Sequence, residues 1–318
     1  MRGEWSGVSF QKRTLPQLRL RAAPFGWYDA GMTTAKVLDR EEYIEQAYFF
    51  RALRERQESA ATQELLELVH QEILATTQLP FAIQFMAGEV KHSGLLSSGL
   101  ARLPHYFTPY QAFVVRGTEH ETLRFSLELA LLVLQREAEY RAASVSRPGL
   151  FVYQFEVMCR NRLGYDDGLT CMAADPAYDA DWKTFLTDLR TQVGVIDFAD
   201  LLYLRSELYV ADQRRQDSDY VAPVPPLFGE KEGKIAKANR ERDPLYLFAA
   251  LQRQLGYPEV PRPRPRDDLA AKIDVLQVKL DTMAKRLMVL EGDLRGQLDL
   301  SQLARPELLS DEPEIEIK

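Results

Sequence analysis

Two Glu-x-x-His pairs are the residues of this sequence best suited to bind a metal ion. Glu67 lies three residues before His70, and Glu89 lies three residues before His92. On a helix this spacing puts the carboxylate and the imidazole on one face, as in the carboxylate-bridged di-iron bundles. Those bundles need two further inward-facing glutamates, however, and Glu67 and His70 lie away from the apolar stripe of their own segment. We therefore interpret both pairs as surface residues, with a metal-dependent enzyme as the alternative.

A second candidate metal site is a group of aspartates in the middle of the chain. Its members are Asp166, Asp167, Asp175, Asp179 and Asp181. Carboxylate oxygens are the ligands that divalent cations such as Ca²⁺ prefer, but the group lacks the ligand spacing and the glycine of an EF-hand loop. Turn and helix-capping positions are the favoured interpretation. No cofactor is predicted, and the metal-dependent enzyme stays an alternative.

No sequence motif supports nucleophilic catalysis or nucleotide binding. Ser93, Ser97 and Ser98 lie near His92, but no nucleophile-elbow sequence surrounds them. In residues 229–234 three residues separate the two glycines and isoleucine follows the lysine, whereas a phosphate loop needs four residues there and a serine or threonine. The sequence therefore indicates no catalytic residue and favours a protein that is not an enzyme.

Basic charge is concentrated in residues 231–266 of an otherwise acidic chain. The whole sequence has a net charge of -7, while this segment has nine basic and four acidic residues. A locally basic surface attracts acidic or phosphate-rich partners. The candidate anion-binding residues are Lys231, Lys234, Lys237, Arg240 and Arg242. Anion or nucleic-acid binding is thus a second alternative function, and a solvated face with ion pairs inside the helix is the favoured interpretation.

Length and composition predict a folded protein of the cytoplasm. The 318 residues, 46% of them hydrophobic, suffice for one large domain or two smaller ones. No apolar run reaches the roughly 18–20 residues that span a bilayer. The two cysteines, Cys159 and Cys171, form neither a disulfide framework nor a zinc motif. We therefore expect free thiols in a cytoplasmic protein without membrane insertion.

The elements that position the candidate residues should be helices, because the apolar residues of the sequence recur with helical periodicity. Apolar side chains recur at spacings of three and four after Asp39, and again over residues 62–76 and 123–141. Asp243-Pro244 is typical of a helix start, because the aspartate can cap the helix and the proline suits its first position. The predicted fold class is mainly α: a multi-helix globular body with a C-terminal coiled-coil helix after a Pro/Arg spacer.

The middle region leaves an alternative fold class open. Residues 150–158 are aromatic-rich, and periodicity alone does not separate a buried helix from a strand there. Residues 164–168 (Gly-Tyr-Asp-Asp-Gly) predict a turn. The alternative to the mainly α fold is accordingly α+β with a minor sheet in this middle region.

Changes of composition divide the chain into five parts. They are a flexible N-terminal segment (1–38, in which Met32 is an alternative start), a helical globular body (39–260, with a sub-boundary near 211–228), a Pro/Arg spacer (261–268), a coiled coil (269–298) and an acidic flexible tail (299–318). The spacer should be extended, because each of its prolines fixes φ and keeps the preceding residue away from the helical region.

The most regular pattern in the sequence is an apolar stripe, here named the seam. It consists of Leu269, Ile273, Leu276, Leu280, Met283, Leu287, Leu290 and Leu294. The spacing alternates between four and three without interruption, which keeps one stripe facing a partner helix over about 39 Å. Pairing between chains is the favoured interpretation, and folding back on the body is the alternative.

These observations predict a cytoplasmic scaffold or adaptor rather than an enzyme. The C-terminal helix would join copies of the chain into a homo-oligomer, because eight large side chains on one face need a partner. A possible further partner is acidic or phosphate-rich, through the basic segment. The metal-dependent enzyme and the anion-binding or nucleic-acid-binding module remain the two alternatives.

Overall fold

A computed structural model describes residues 36–119, 125–143, 146–262 and 276–288, the last range without 278 and 281. The chain divides between Pro263 and Arg264 into two compact units. The first unit contains all the helices named below, and the second contributes helical residues within 276–288.

Several predicted features lie outside the described residues. They are the N-terminal segment up to residue 35, residues 263–268 of the spacer, the acidic tail 299–318, and the seam residues Leu269, Ile273, Leu290 and Leu294. The predicted sub-boundary near 211–228 falls inside the first unit.

The first unit is built from α-helices joined by short connections. The helices are α1 (Arg40–Arg56), α2 (Thr62–His70), α3 (Leu79–Ser93), α4 (Leu96–Ala101), α5 (Pro109–Thr118), α6 (Leu127–Ala142), α7 (Arg147–Asn161), α8 (Tyr165–Ala173), α9 (Ala180–Gln192), α10 (Phe198–Leu204), α11 (Glu207–Gln216), α12 (Glu230–Ala238) and α13 (Pro244–Leu255). The described residues contain no strand, only the isolated bridges Val193–Ile196 and Ser206–Phe228. The predicted mainly α class is confirmed.

Helix α7 forms the centre of the body. Every residue from Gly149 to Met158 is buried, so the helix is enclosed on all its faces. A helix that is buried on every face belongs to the protein interior, and the polar side chains Gln154 and Glu156 of α7 are hydrogen-bonded there. The alternative of a minor sheet in the middle region is therefore wrong. The aromatic side chains of residues 150–158 fill the space around a central helix and do not alternate between the two faces of a sheet.

Aromatic side chains from other parts of the body pack against one side of α7. Phe155 stacks on Phe198 of α10 with ring centroids 4.2 Å apart and planes 6° apart. Phe151 lies 5.4 Å from Trp182 of α9 and 5.9 Å from Phe228, measured between ring centroids. Such pairs add to the free energy that burial of the rings supplies. They hold α9, α10 and the segment before α12 against the central helix.

On the other side of the body, α1 packs along the length of α6. Two carboxylates of α1 reach the connection between α2 and α3. Glu45 accepts a hydrogen bond from the backbone N–H of Leu74 at 3.2 Å, and Glu42 accepts one from Gln78 at 2.9 Å. These backbone donors would otherwise lack helical partners, because they precede the first turn of α3.

Capping residues explain where several helices begin and end. The carboxylate of Asp243 accepts from the N–H of Leu245 at 2.9 Å, so the predicted start of α13 is confirmed. Gly256 ends this helix with φ of 67°, a conformation that glycine adopts without strain. Helix α6 starts at Leu127 and not at residue 123, because the Ser126 hydroxyl caps it by accepting from Leu129 N.

Two further boundaries differ from those predicted. The second helix ends at His70 and is followed by turns, although apolar spacing continues to about residue 76. Residues 164–168 are not a turn but the beginning of α8, with Gly164 at the N-cap. Asp166 and Asp167 stand in its first turn, where the helix dipole favours anionic side chains. Acidic residues that resemble a turn signal thus act as a helix start.

Gly168 allows the packing of α8 on the central helix to be tested. A Cβ atom at this position would overlap the Sδ of fully buried Met158 and lie 3.1 Å from the ring of Phe113. Overfilling a packed core costs typically about 1–3 kcal/mol. Gly168→Ala should therefore lower the free energy of unfolding by about that amount, measured by urea denaturation.

The matched control is Gly88→Ala on α3, where a Cβ atom would meet nothing within 4 Å. Replacing an exposed helical glycine with alanine should raise the free energy of unfolding by roughly 0.8–1.0 kcal/mol. If Gly168→Ala stabilised the protein as much as Gly88→Ala, the described packing of α8 would be incorrect.

Candidate functional site

The two Glu-x-x-His pairs lie on different helices, one on α2 and one on α3. Glu67 is exposed and accepts a hydrogen bond from Gln63 at 3.3 Å. Glu89 forms an ion pair of 2.6 Å with Arg102, and His92 is exposed near the end of α3. No group of three or more histidine, cysteine, aspartate or glutamate residues in the described part of the chain could hold a metal ion.

The first two aspartates of the predicted cluster pair with arginines on the surface of α8. Asp166 contacts Arg190 of α9 at 2.5 Å, and Asp167 contacts Arg116 of α5 at 3.5 Å. Both aspartates are exposed. Their position in the first turn of α8 and their arginine partners account for the acidic charge at this point.

The remaining aspartates belong to the connection into α9. Asp179 caps this helix by accepting from the N–H of Trp182 at 3.1 Å, and it also pairs with Arg147 at 2.8 Å. Asp181 stands in the first turn of the same helix. Asp175, in contrast, is fully buried. The structure therefore separates the group into surface ion pairs, a helix cap and one interior carboxylate.

Three of the five candidate anion-binding residues form ion pairs with neighbouring carboxylates. The pairs are Lys234 with Glu230, Lys237 with Asp212 and Arg240 with Asp200, each at 2.6 Å. The Arg240 guanidinium also lies 4.2 Å from the centre of the Tyr203 ring. Lys231 and Arg242 are exposed. The basic charge that the sequence concentrates here is thus partly compensated by acidic residues of α10, α11 and α12.

A surface groove of about 450 Å³ lies between α1 and α6. It is lined by charged residues of both signs, among them Arg40, Glu45, Arg51 and Glu139. Arg40 donates to the carbonyl of Ala142 at 3.1 Å, which ties the start of α1 to the end of α6. The residues that line the groove include arginines and glutamates but no serine, threonine, cysteine or histidine.

A buried polar network joins α6, α7 and the connection between α8 and α9. Arg141 donates to Glu137 Oε1 at 2.7 Å through Nη2 and at 2.9 Å through Nε. The same Nη2 donates to Asp175. Gln154 of the central helix donates to Glu137 Oε1 at 3.1 Å and accepts from the Tyr178 hydroxyl at 2.8 Å. Five polar side chains are thus hydrogen-bonded to one another inside an apolar core.

The network contains two carboxylates and one guanidinium, all shielded from water. Burial raises the pKa of Glu137, the charge of Arg141 opposes this, and Asp175 adds to it. The second oxygen of Glu137, Oε2, has no hydrogen-bond partner among the described residues. Breaking such a group by removing one partner is costly, because the remaining charge stays buried. The network therefore acts as a polar connection within the core.

Sequence reasoning did not find this network, although α6 contains a signal for it. The apolar stripe of Leu127, Leu131 and Leu134 continues on the same helical face to Ala138 and Arg141. An arginine on the inward face needs an acidic partner, and Glu137 stands four residues before it. Asp175 was grouped with the surface aspartates, because its distance from Arg141 along the chain gives no indication of contact.

The described part of the seam is helical and exposed. Leu276, Leu280, Met283 and Leu287 lie within the helical residues 276–288 of the second unit. Between 57% and 65% of the surface of each is exposed. Large apolar side chains arranged on one face and open to solvent are typical of an interaction surface. Among the described residues, this stripe is the strongest candidate functional feature.

Comparisons with known proteins do not indicate a function for the exposed stripe. The chain matches no family model, no curated protein and no solved structure. Among the described residues, no helix combines the length and the apolar character that crossing a bilayer requires.

The buried network predicts a specific dependence of stability on pH. The pKa of Glu137 is ordinary in the unfolded chain and raised by burial in the folded one. Its contribution to the free energy of unfolding is therefore complete below the unfolded pKa and is lost as pH rises through the folded pKa. Glu137→Gln removes this dependence, so the stability of the variant relative to the wild type should increase as pH rises above about 4.3.

Urea denaturation at a series of pH values measures this difference. Glu128→Gln, an exposed change in the first turn of the same helix, controls for the general effect of removing one negative charge. A stability difference between Glu137→Gln and wild type that stayed constant with pH would show that the Glu137 carboxyl has no raised pKa in the folded protein.

Proposed function

We propose that this protein is a non-enzymatic scaffold or adaptor whose copies associate through a C-terminal coiled coil. The observation that carries the proposal is the exposed stripe formed by Leu276, Leu280, Met283 and Leu287. Their spacing of four, three and four residues is that of the two apolar positions of a heptad. Burying each leucine against a partner helix is worth roughly 1.5–3 kcal/mol, which gives association a substantial driving force.

The first unit ends in a packed segment, which supports a boundary between this body and the seam. Its last described segment is packed, because Val260 is buried and the Pro261 carbonyl accepts from Asn161 of the central helix at 3.4 Å. The Pro/Arg run that follows favours an extended chain.

Several of the other charged residues considered as candidate sites are engaged in structural contacts. Asp179 caps α9, Asp166 pairs with Arg190, and Lys234 and Lys237 of α12 pair with neighbouring carboxylates. Structural use of these residues supports a function based on binding rather than on catalysis. The scaffold would then act by bringing several copies of its body together.

The proposal is tested by placing charges on the seam. The double variant Leu280→Glu/Leu287→Glu should shift the mass measured by light scattering to that of a monomer, because two apolar side chains per helix no longer contribute to the interface. The thermal unfolding transition of the body should stay where it is in the wild type. The matched control is Lys285→Gln/Met288→Glu, which changes the net charge equally but lies off the seam, and it should remain oligomeric.

Deletion of residues 263–318 separates association from folding back. It leaves Pro261 in place, whose carbonyl bonds to Asn161. We expect a monomer with an unchanged melting temperature. If the wild type were itself a monomer, and the deletion lowered the melting temperature of the body, the helix would pack within its own chain and the proposed self-association would be wrong.

A further inference from the structure

The outer face of α3 has two large aromatic side chains that the body leaves open to solvent. Phe81 is 74% exposed and Phe85 is 43% exposed, whereas Ile83 and Met86 on the opposite face are buried in the core. The two phenylalanines are four residues apart and therefore lie one turn apart on the same side of the helix. Aromatic side chains supply much of the binding energy at protein interfaces. This face is accordingly a candidate binding surface of the body.

Gly88 lies on the same face and has no packing role within the body. A Cβ atom at this position would meet nothing within 4 Å, and the backbone of Gly88 is not left-handed, so neither space nor conformation requires a glycine. Glycine inside a helix lowers its stability relative to alanine. Side chains spaced four residues apart form ridges on a helix, and Gly88 interrupts the ridge between Gln84 and His92. The result is a notch in the surface beside Phe85.

Basic charge lies at the C-terminal end of this face. Lys91 and His92 are both exposed. Glu89 is the single acidic residue of α3, and it pairs with Arg102 at 2.6 Å. Helix α3 itself therefore supplies no free carboxylate to the ammonium group of Lys91. A partner that covers the face gains an attractive contact if it brings an acidic side chain to this end.

We propose that the outer face of α3, defined by Phe81, Phe85, Gly88 and Lys91, binds an acidic amphipathic helix of another protein. An apolar side chain of that helix fills the notch at Gly88, its apolar neighbours cover the two phenylalanines, and a glutamate or aspartate pairs with Lys91. A helix suits this surface because its own apolar residues recur at the same spacing of three and four.

A second copy of the chain fits this face less well. The α3 face of another copy would bring a second Lys91 and no free carboxylate, so the charges would not complement each other. The proposed partner is therefore a different protein. This inference goes beyond self-association, because α3 belongs to the body and not to the seam.

A phage library of helical peptides tests the proposal in the full-length protein. Peptides are selected on the wild type and depleted on Phe81→Glu, which removes peptides that bind the seam or other surfaces. The remaining peptides should be apolar along one helical face and rich in acidic residues. If no peptide distinguished the two proteins, or if the peptides that did so were basic, the proposal would be overturned.

Phe81→Glu should weaken the binding of a selected synthetic peptide by about tenfold or more, measured by fluorescence anisotropy. Phe81 is the third residue of α3, where the helix dipole favours an anionic side chain, so the melting temperature should not fall. The matched control is Tyr246→Glu, because Tyr246 is 68% exposed and is the third residue of α13. An equal loss of binding in this control would show that affinity follows net charge alone and would overturn the proposal.

Gly88→Ala separates binding from folding. The added methyl group fills the notch, so the variant should bind the selected peptide about fivefold more weakly although its body is more stable than the wild type. A role of Gly88 in the fold alone would not weaken binding while stabilising the protein. Unchanged or tighter binding would overturn the proposed contact at the notch.

Lys91→Glu tests the acidic character of the partner. This variant should bind the selected acidic peptide more weakly, and replacing the acidic residues of the peptide with lysine should restore binding to the variant but not to the wild type. Equal affinity of both peptides for the wild type would overturn the assigned charge.

Light scattering distinguishes a different partner from a second copy. Phe81→Glu should have the same mass as the wild type, and a lower mass would show that α3 joins copies of this chain, which would overturn the proposed partner. The mass of the seam variant Leu280→Glu/Leu287→Glu tests self-association alone. The two proposals can therefore fail independently.

Discussion

The guanidinium of Arg141 is the charge around which the body of this protein is organised. It contacts Glu137 on its own helix and Asp175 on the connection between α8 and α9, and it lies 5.8 Å from the Tyr43 ring of α1. Gln154 of the central helix completes the set through Glu137. A buried charge is tolerated only when it is paired and hydrogen-bonded. Helices α1, α6 and α7 and the connection after α8 must therefore meet at one place.

This polar connection is embedded in apolar packing that supplies the driving force for folding. The central helix is buried from Gly149 to Met158, and its phenylalanines contact rings from α9, α10 and α13. Burial of large aromatic side chains contributes most of the favourable free energy, whereas the buried ion pairs roughly offset their own desolvation. The network thus specifies which helices contact one another, and the aromatic core stabilises that arrangement.

The proposed function follows from a division of roles along the chain. In the body, several of the carboxylates and lysines that first suggested chemistry, among them Asp166, Asp179, Lys234 and Lys237, are engaged in helix caps and ion pairs. The second unit presents Leu276, Leu280, Met283 and Leu287 to solvent, and each of these side chains gains free energy only by contact with another surface. An adaptor needs this combination, since its association surface works without disturbing the fold that it joins.

The sequence by itself determined the mainly α class and the start of α13 at Asp243-Pro244, because each is encoded by residues within a few turns of one another. Only the tertiary structure decided the roles of the charged residues. Asp175 and Asp179 are four residues apart, yet one is an interior partner of Arg141 and the other a surface cap of α9. Capping is a local interaction, whereas burial beside a charge depends on a helix more than thirty residues away in the chain. Likewise, whether residues 150–158 form a strand or a helix depended on neighbours on every side, which periodicity along the chain does not encode.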